Sequence, residues 1–301
     1  MNSSPACIRD IYREQDFALS VEVFPPKTST GDDVLFRTLA RLAAYQPAFV
    51  SCAYEANGST RTRTIDLCVE VQKRYKLTAT AHLTCVVSTC DDIIDWLSLA
   101  KHSGLRNIMA LRGDPPDGQE TFRPVPRGLR FANELVGLIR EHHPDLGIGV
   151  AGYPEMHQEA SEPQTDLDNL KRKVDAGADA VFTQLFYVNA NFFNFRERCE
   201  RAGICVPLIP GIMPMTQFAM IRRITSMCGV TFPDQLASKL EAVQDDKRTQ
   251  FEIGVDHAVR QCRGLIDQGV PGIHFYVLNR FQACEKILNA LDTRPSHIDC
   301  V

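Results

Sequence analysis

Short apolar runs alternate with amphipathic stretches along almost the whole chain. The runs at 18–24, 49–54, 78–83, 107–111, 147–152, 180–185, 205–210 and 272–277 are apolar through most of their length rather than at every second residue. That is the pattern of parallel strands buried on both faces. The stretches at 33–45, 65–75, 91–103, 131–142, 167–176, 193–202, 220–228, 247–268 and 283–291 repeat apolar residues at helical spacing instead. Punctuation agrees with these boundaries. Gly177, Gly203 and Gly269 fall just past helices, where a residue without a Cβ closes the last turn. Thr89, followed by Asp91 and Asp92, supplies a cap and negative charge at a helix start.

About eight strand-then-helix units predict an α/β protein, a single (β/α)8 TIM barrel rather than an open doubly wound sheet. No Ser/Gly/Pro-rich linker divides the chain. The expected organisation is one barrel domain over 1–301, with an N-terminal extension at 1–16, a C-terminal tail at 292–301 and no regulatory domain. The segment 115–128, rich in Pro and Gly, reads as a long loop between strand and helix. Gly147-Ile148-Gly149-Val150-Ala151-Gly152 matches the dinucleotide fingerprint G-x-G-x-x-G. That motif works only where it opens a helix whose amides face a pyrophosphate. Here Tyr153-Pro154-Glu155 follows, so the glycines are expected inside a strand.

Composition narrows the class further. Lys and Arg number 33 against 37 Asp and Glu, a net charge of −4 with both signs scattered, which argues against nucleic-acid or anionic-membrane binding. The 11 cysteines include no C-x-x-C pair and read as reduced thiols in a cytoplasmic protein. No basic start with an apolar run behind it opens the chain, so no signal peptide is expected, and no apolar stretch approaches a membrane span.

A barrel of this kind carries its chemistry at the C-terminal ends of its strands, and polar residues gather there. The ends hold Glu22, Tyr54 with Ala56, His82, Arg112-Gly113-Asp114, Tyr153 with His157, Gln184, and Tyr276 with Arg280. Glu22, set among Val21, Val23 and Phe24, is expected to lose hydration, which would raise its pKa and suit it to proton donation. The competing reading is a carboxylate paired with a buried Arg or Lys. Asp114 places negative charge at the mouth or caps its own loop; Gly113 permits close approach of a ligand. Asp166, Asn169, Arg172 and Lys173 fall on one helix face able to hold phosphates and ribose hydroxyls, or form a solvated charged surface. His82 and His157 are ligand contacts or satisfied structural residues. No metal-ligand spacing occurs, so no metal is expected.

These landmarks, spread from about residue 19 to 291, resemble those of the methylenetetrahydrofolate reductases in their short bacterial form. They include Glu22-Val23-Phe24-Pro25-Pro26-Lys27, His82-Leu83-Thr84-Cys85, Arg112-Gly113-Asp114, Gly152-Tyr153-Pro154-Glu155 with His157, and Asp166 through Asp179. Thr183-Gln184-Leu185-Phe186, Pro210-Gly211-Ile212 and His274 through Arg280 complete the series. The resemblance implies a flavin-dependent reductase that binds FAD and converts 5,10-methylenetetrahydrofolate to 5-methyltetrahydrofolate with NADH or NADPH, in ping-pong fashion. It assigns Glu22 as the acid at N10 and Asp114 as the carboxylate beside flavin and pterin. It implies FAD contacts at Tyr54, Ala56, His82, Arg112, Gly113, Asp114, Ala132, Tyr153, His157, Asp166, Asn169, Arg172 and Lys173. Substrate contacts fall on Glu22, Asp114, Gln184, Tyr276 and Arg280. A homo-oligomer is the expected assembly.

The chain departs from that pattern in places. Many relatives carry Thr-Tyr-Gly-Ala at the second strand end, where this chain has Ala53-Tyr54-Glu55-Ala56. Met220 and Ile224 replace a Gln and a Phe, and the segment 115–130 is longer. These departures keep open a related flavin barrel fed by a ferredoxin or partner flavoprotein. A binding module that holds folate without turnover is disfavoured, because binding alone needs no buried proton donor. A barrel with unrelated chemistry would lack flavin.

Overall fold

The computed structural model describes residues 5–53, 61–115 and 121–292. Helix α1 (Ile8–Glu14) precedes β1 (Ala18–Val23), and strand and helix then alternate: α2 (Ser29–Ala43), β2 (Phe49–Cys52), α3 (Arg61–Tyr75), β3 (Thr78–Thr84), α4 (Cys90–His102) and β4 (Asn107–Leu111). The series continues through α5 (Ala132–His142), β5 (Gly147–Gly152), α6 (Pro163–Asp175), β6 (Ala180–Leu185), α7 (Asn189–Arg201) and β7 (Leu208–Ile212). Helices α8 (Phe218–Cys228), α9 (Asp234–Glu241) and α10 (Lys247–Asp267) follow before β8 (Gly272–Tyr276) and α11 (Gln282–Ala290). The strands pair in parallel in chain order, and β8 returns to β1 to close the barrel. The expected (β/α)8 barrel is the architecture found.

Strand positions follow the apolar runs closely, with one displacement. The run 205–210 predicts the seventh strand, yet β7 occupies Leu208–Ile212. Pro210 has no N–H to give the ladder. The β6–β7 register accordingly breaks between Phe182 and Leu185, and the Gly211 N–H donates to the Thr183 hydroxyl at 2.9 Å. The capping expected at Thr89 is present: its hydroxyl accepts the Asp92 N–H, and the Asp92 carboxylate accepts the Thr89 N–H at 2.9 Å.

Inside the barrel, strand five explains its own glycines. A Cβ on Gly149 would sit 2.8 Å from the Phe182 ring, and one on Gly147 would sit 2.3 Å from Asn107 Oδ1. The G-x-G-x-x-G sequence therefore serves close packing within a strand rather than a pyrophosphate.

The N-terminal end of the barrel is shut by α1, which the periodicity does not predict because seven residues carry too little pattern. Ile8 and Ile11 pack against Ala18, Phe49, Met109, Ala180, Phe182 and Ile209. Asn107 locks the helix in place: its Oδ1 accepts the Ile8 N–H at 2.7 Å and its Nδ2 donates to the Ala6 carbonyl at 2.8 Å. Part of the segment read as an extension is thus the floor. The opposite end stays accessible, bordered by a separate apolar cluster in which α8 and α9 pack on Leu185, Tyr187, Met213 and Met215.

Asn107→Leu removes both bonds while keeping the volume. Each buried group left unpaired costs about 1–3 kcal/mol, so a loss of about 2–4 kcal/mol is expected in urea unfolding. A change under about 0.5 kcal/mol would show that the floor does not depend on Asn107.

Candidate active site

Successive residues of a strand point to opposite faces, and the inward positions just below the mouth are polar. Ser20 and Glu22 of β1, Ser51 of β2, Thr80 and His82 of β3, and His274 and Tyr276 of β8 occupy them. They converge. His82 Nε2 lies 2.8 Å from Ser51 Oγ and 3.3 Å from Glu22 Oε2. His274 Nδ1 lies 2.8 Å from Ser20 Oγ, while its Nε2 faces the same Glu22 oxygen at 3.5 Å and forms no hydrogen bond among the described residues. The His274 ring is boxed by Phe49, Phe182 and Tyr276, at centroid distances of 6.2, 5.3 and 5.2 Å.

This cluster corrects the expectation for Glu22. Burial is the largest single influence and pushes the carboxyl up, as expected, but His82 and His274 together outweigh it and bring the pKa down to about 2. The partners are two imidazoles rather than a buried Arg or Lys. Sequence alone leaves Ser20 and Ser51 unmarked and gives His274 only a place in a landmark motif, with no role at the site, although their period-two placement in apolar strands is a readable signal.

Around the rim, a second group of residues gathers at the ends of β4 and β5. Gly113 adopts φ +85°, and a Cβ there would sit 2.5 Å from Val86, so only glycine turns the chain tightly enough. Asp114 follows, exposed to solvent. The Arg112 guanidinium forms two bonds with the Glu159 carboxylate, at 2.5 and 2.7 Å, and lies 5.5 Å from the Phe122 ring. Tyr153 meets His157 edge-on at 4.6 Å. Burial raises the Tyr153 phenol, with the charges of Asp166 and Asp114 adding to it. Burial likewise raises Tyr276, which also feels Glu22 and Tyr153. Glu22 near the end of β1 and Asp114 just past the end of β4 both belong to the C-terminal end of the barrel.

The face predicted on α6 divides in two. Arg172 and Asn169 are exposed and bonded to each other at 2.8 Å. Asp166 and Lys173 turn inward. Asp166 accepts the His157 N–H at 3.3 Å, and burial raises its pKa. Lys173 Nζ donates to the Ala151 carbonyl at the end of β5 and lies 5.8 Å from the Tyr153 ring centroid. Burial pushes the ammonium down to about 8, with Asp166 pulling the other way. Ala132 opens α5 beside the rim, where Glu134 accepts the Arg130 and Phe131 N–H groups.

On the other side, Gln184 lies one residue before the end of β6, half-buried, and Tyr276 donates its hydroxyl to the Thr183 carbonyl at 2.7 Å. Arg280 is exposed just past Asn279, whose amide clamps the Phe24 backbone on both sides, at 3.1 and 2.8 Å. Met220 and Ile224 pack into the cluster that contains Tyr276. Tyr54, Glu55 and Ala56 lie outside the described residues. Among the described residues, no group of three or more His, Cys, Asp and Glu is arranged to hold a metal ion. Nor is any described helix long and apolar enough to cross a membrane.

Fold and site together define a (β/α)8 barrel with an acid–imidazole cluster and a ring of ionisable residues at its C-terminal mouth. The sequence model described as methylenetetrahydrofolate reductase matches residues 7–292, and the chain belongs to that family. It is 39% identical to the 5,10-methylenetetrahydrofolate reductase of Salmonella typhimurium over 92% of this chain and 91% of that protein. The Escherichia coli protein of the same name matches with the same identity and coverage. An Arabidopsis thaliana relative, methylenetetrahydrofolate reductase (NADH) 1, is 36% identical over 90% of this chain but only 48% of its own length. Among solved structures, an uncharacterised Clostridium thermocellum protein that binds two copies of 5-methyl-5,6,7,8-tetrahydrofolic acid shares the fold. Its TM-score is 0.65 at 14% identity, covering 94% of this chain and 97% of that one.

The depressed Glu22 pKa has a stability consequence. Its ionised form favours the fold above the ordinary value of 4.5, and that contribution drains away as pH falls from there toward 2. The urea midpoint of the wild type should exceed that of Glu22→Gln at pH 6, with the gap narrowing on acidification. A gap that stays constant between about pH 6 and pH 3 would mean the imidazoles do not hold the carboxylate.

Proposed function

We propose that the protein reduces 5,10-methylenetetrahydrofolate to 5-methyltetrahydrofolate, using FAD and taking electrons from NADH or NADPH in alternating half-reactions. The observation that carries this reading is Glu22, a partly exposed carboxylate at the barrel mouth held on one oxygen by two imidazoles and sharing its rim with Asp114. Membership of the family supports the substrate.

The rim residues fit FAD. Lys173 is an ammonium depressed by burial whose hydrogen-bond partner among the described residues is one carbonyl, a setting that favours an anion such as a diphosphate. The Thr84 hydroxyl, next to Gly113, is buried without a hydrogen-bond partner among the described residues and is available to a polar ring edge. Arg112, His157, Asp166 and Tyr153 complete that side, with Asn169 and Arg172 outside it. Bound FAD would supply hydride transfer.

The protein's own part is acid–base and electrostatic. Glu22 delivers a proton to N10 of the folate, opening the five-membered ring to the 5-iminium cation that accepts hydride. A carboxyl depressed to about 2 is a poor acid while the mouth is wet. Folate covering the mouth excludes water, and loss of solvation favours the neutral carboxyl of Glu22 over its carboxylate. Substrate binding thus arms the acid. Asp114 stabilises the developing cation, while Gln184, Tyr276 and Arg280 orient the folate.

The purified protein should be yellow, with a band near about 450 nm that NADH bleaches without oxygen. Glu22→Gln should keep that bleaching while losing about 10²–10⁴-fold in reoxidation by methylenetetrahydrofolate. Full folate turnover in the variant would remove Glu22 from the mechanism, and a wild type that NADH cannot bleach would point to another donor.

Lys173 gives a pH test. An anion raises its pKa, so FAD binding takes up a proton once the free lysine begins to lose its own. Affinity should therefore be flat below about 8 and fall above it. Fluorescence titration should show this slope in the wild type and lose it in Lys173→Met.

A further inference from the structure

We propose that Phe24 is a specificity-determining residue, an aromatic wall for the aryl ring that a folate carries on N10. This rests on the folate reading of the site and deepens it, by saying how the chain distinguishes a folate from a bare pterin.

The placement of Phe24 follows from β1. Ser20 and Glu22 face the bore, while Val21 and Val23 are fully buried on the other side of the strand. The extended pairing runs on to the end of the strand: the Val277 N–H donates to the Glu22 carbonyl at 3.4 Å, and the Ala53 N–H to the Val23 carbonyl at 2.7 Å. The alternation therefore sets Phe24 on the face of Glu22, about 7 Å higher along the strand. There it is 42% exposed and belongs to none of the hydrophobic clusters. Among the described residues its ring has no stacked, edge-on or cationic partner.

The backbone beneath that ring is held firmly. Asn279 accepts the Phe24 N–H and donates to the Phe24 carbonyl, at 3.1 and 2.8 Å. Asn279 is itself buried, and its carbonyl accepts the Thr38 hydroxyl at 2.8 Å. To bring the amide into position, Leu278 and Asn279 both adopt left-handed backbone, at φ 48° and 55°, a conformation that a non-glycine residue takes only where its surroundings enforce it. A fixed aromatic ring, open to the mouth and without a partner, loses little freedom when a ligand supplies one.

Folate chemistry supplies it. N10, the atom assigned to Glu22, is bonded directly to the aryl ring, and the tail beyond that ring ends in carboxylates. Arg280 is exposed beside Asn279 and has no ion-pair partner among the described residues. A folate with N10 at Glu22 and its carboxylates at Arg280 lays the aryl ring along the β1–β8 seam, against Phe24. Aromatic rings meet favourably there, offset or edge-on.

Calorimetry on the holoenzyme reads this without turnover, using three ligands that do not exchange hydride. They are 5-formyltetrahydrofolate, the corresponding pteroate lacking glutamate, and 5-formyl-6-methyltetrahydropterin, which lacks the whole tail. Phe24→Ala should weaken the first two about fivefold or more and leave the pterin unchanged. Phe24→Trp should retain the affinity for both tailed ligands. Where Phe24→Ala folds poorly by its urea midpoint, Phe24→Leu keeps an apolar side chain and should still weaken the tailed ligands selectively. Equal weakening of all three ligands, no weakening of any, or a loss confined to the ligand with glutamate would overturn the proposal. A wild type that binds none of the three defeats the folate reading itself, and the assignment of Phe24 falls with it. A wild type that favours the tailed ligands, with variants that do so equally, defeats the assignment alone.

Discussion

A closed barrel gives its inward polar side chains little water to bond, so they turn to partners on neighbouring strands. That constraint organises the molecule. Ser20 meets His274, Ser51 meets His82, and both imidazoles turn to Glu22. Below this layer the interior is aromatic and aliphatic, with Phe49, Phe182, Met109 and Ile209 filling the bore down to α1. The polar groups are held from beneath by side chains that cannot yield without opening a void. An acid mounted on such a base keeps its geometry without depending on a loop.

The rim is built differently. Its loops are joined to one another rather than to the core. Arg112 reaches from the end of β4 to Glu159 on the loop after β5. From that same loop, Glu155 accepts the Thr231 N–H at 2.9 Å, and Gln158 donates to the Ser226 and Met227 carbonyls. The segment that carries Tyr153 and His157 is therefore tied at once to β4 and to the end of α8. Its position is set by these polar ties as well as by packing of Tyr153 on His157.

Much of this was legible from the chain. The apolar runs locate the strands because parallel barrel strands are buried on both faces, and the strand ends locate the mouth. What eluded the pattern has physical causes. Helix α1 is too short for a period to register, and β7 runs from Leu208 to Ile212, past the end of its apolar run, with the β6–β7 register broken beside it. The inward serines and His274 look unremarkable until closure brings β1, β2, β3 and β8 around one space. The Glu22 expectation erred for the same reason. Its sequence neighbours are apolar and point outward, whereas the groups that set its charge come from β3 and β8. The α6 face split because its position relative to the barrel, not its helical spacing, decides that Lys173 turns in while Arg172 turns out.

The floor helix also bears on how the chain reaches this structure. The side chains that receive α1 belong to β1, β2, β4, β6 and β7, and its Asn107 anchor lies 99 residues downstream. Seven residues cannot sustain a helix alone in water, so α1 has no stable home until most of the ring exists. Docking of α1 belongs to the late, non-local steps that make such topologies slow to fold, and the bore below Glu22 stays open to water until it is done.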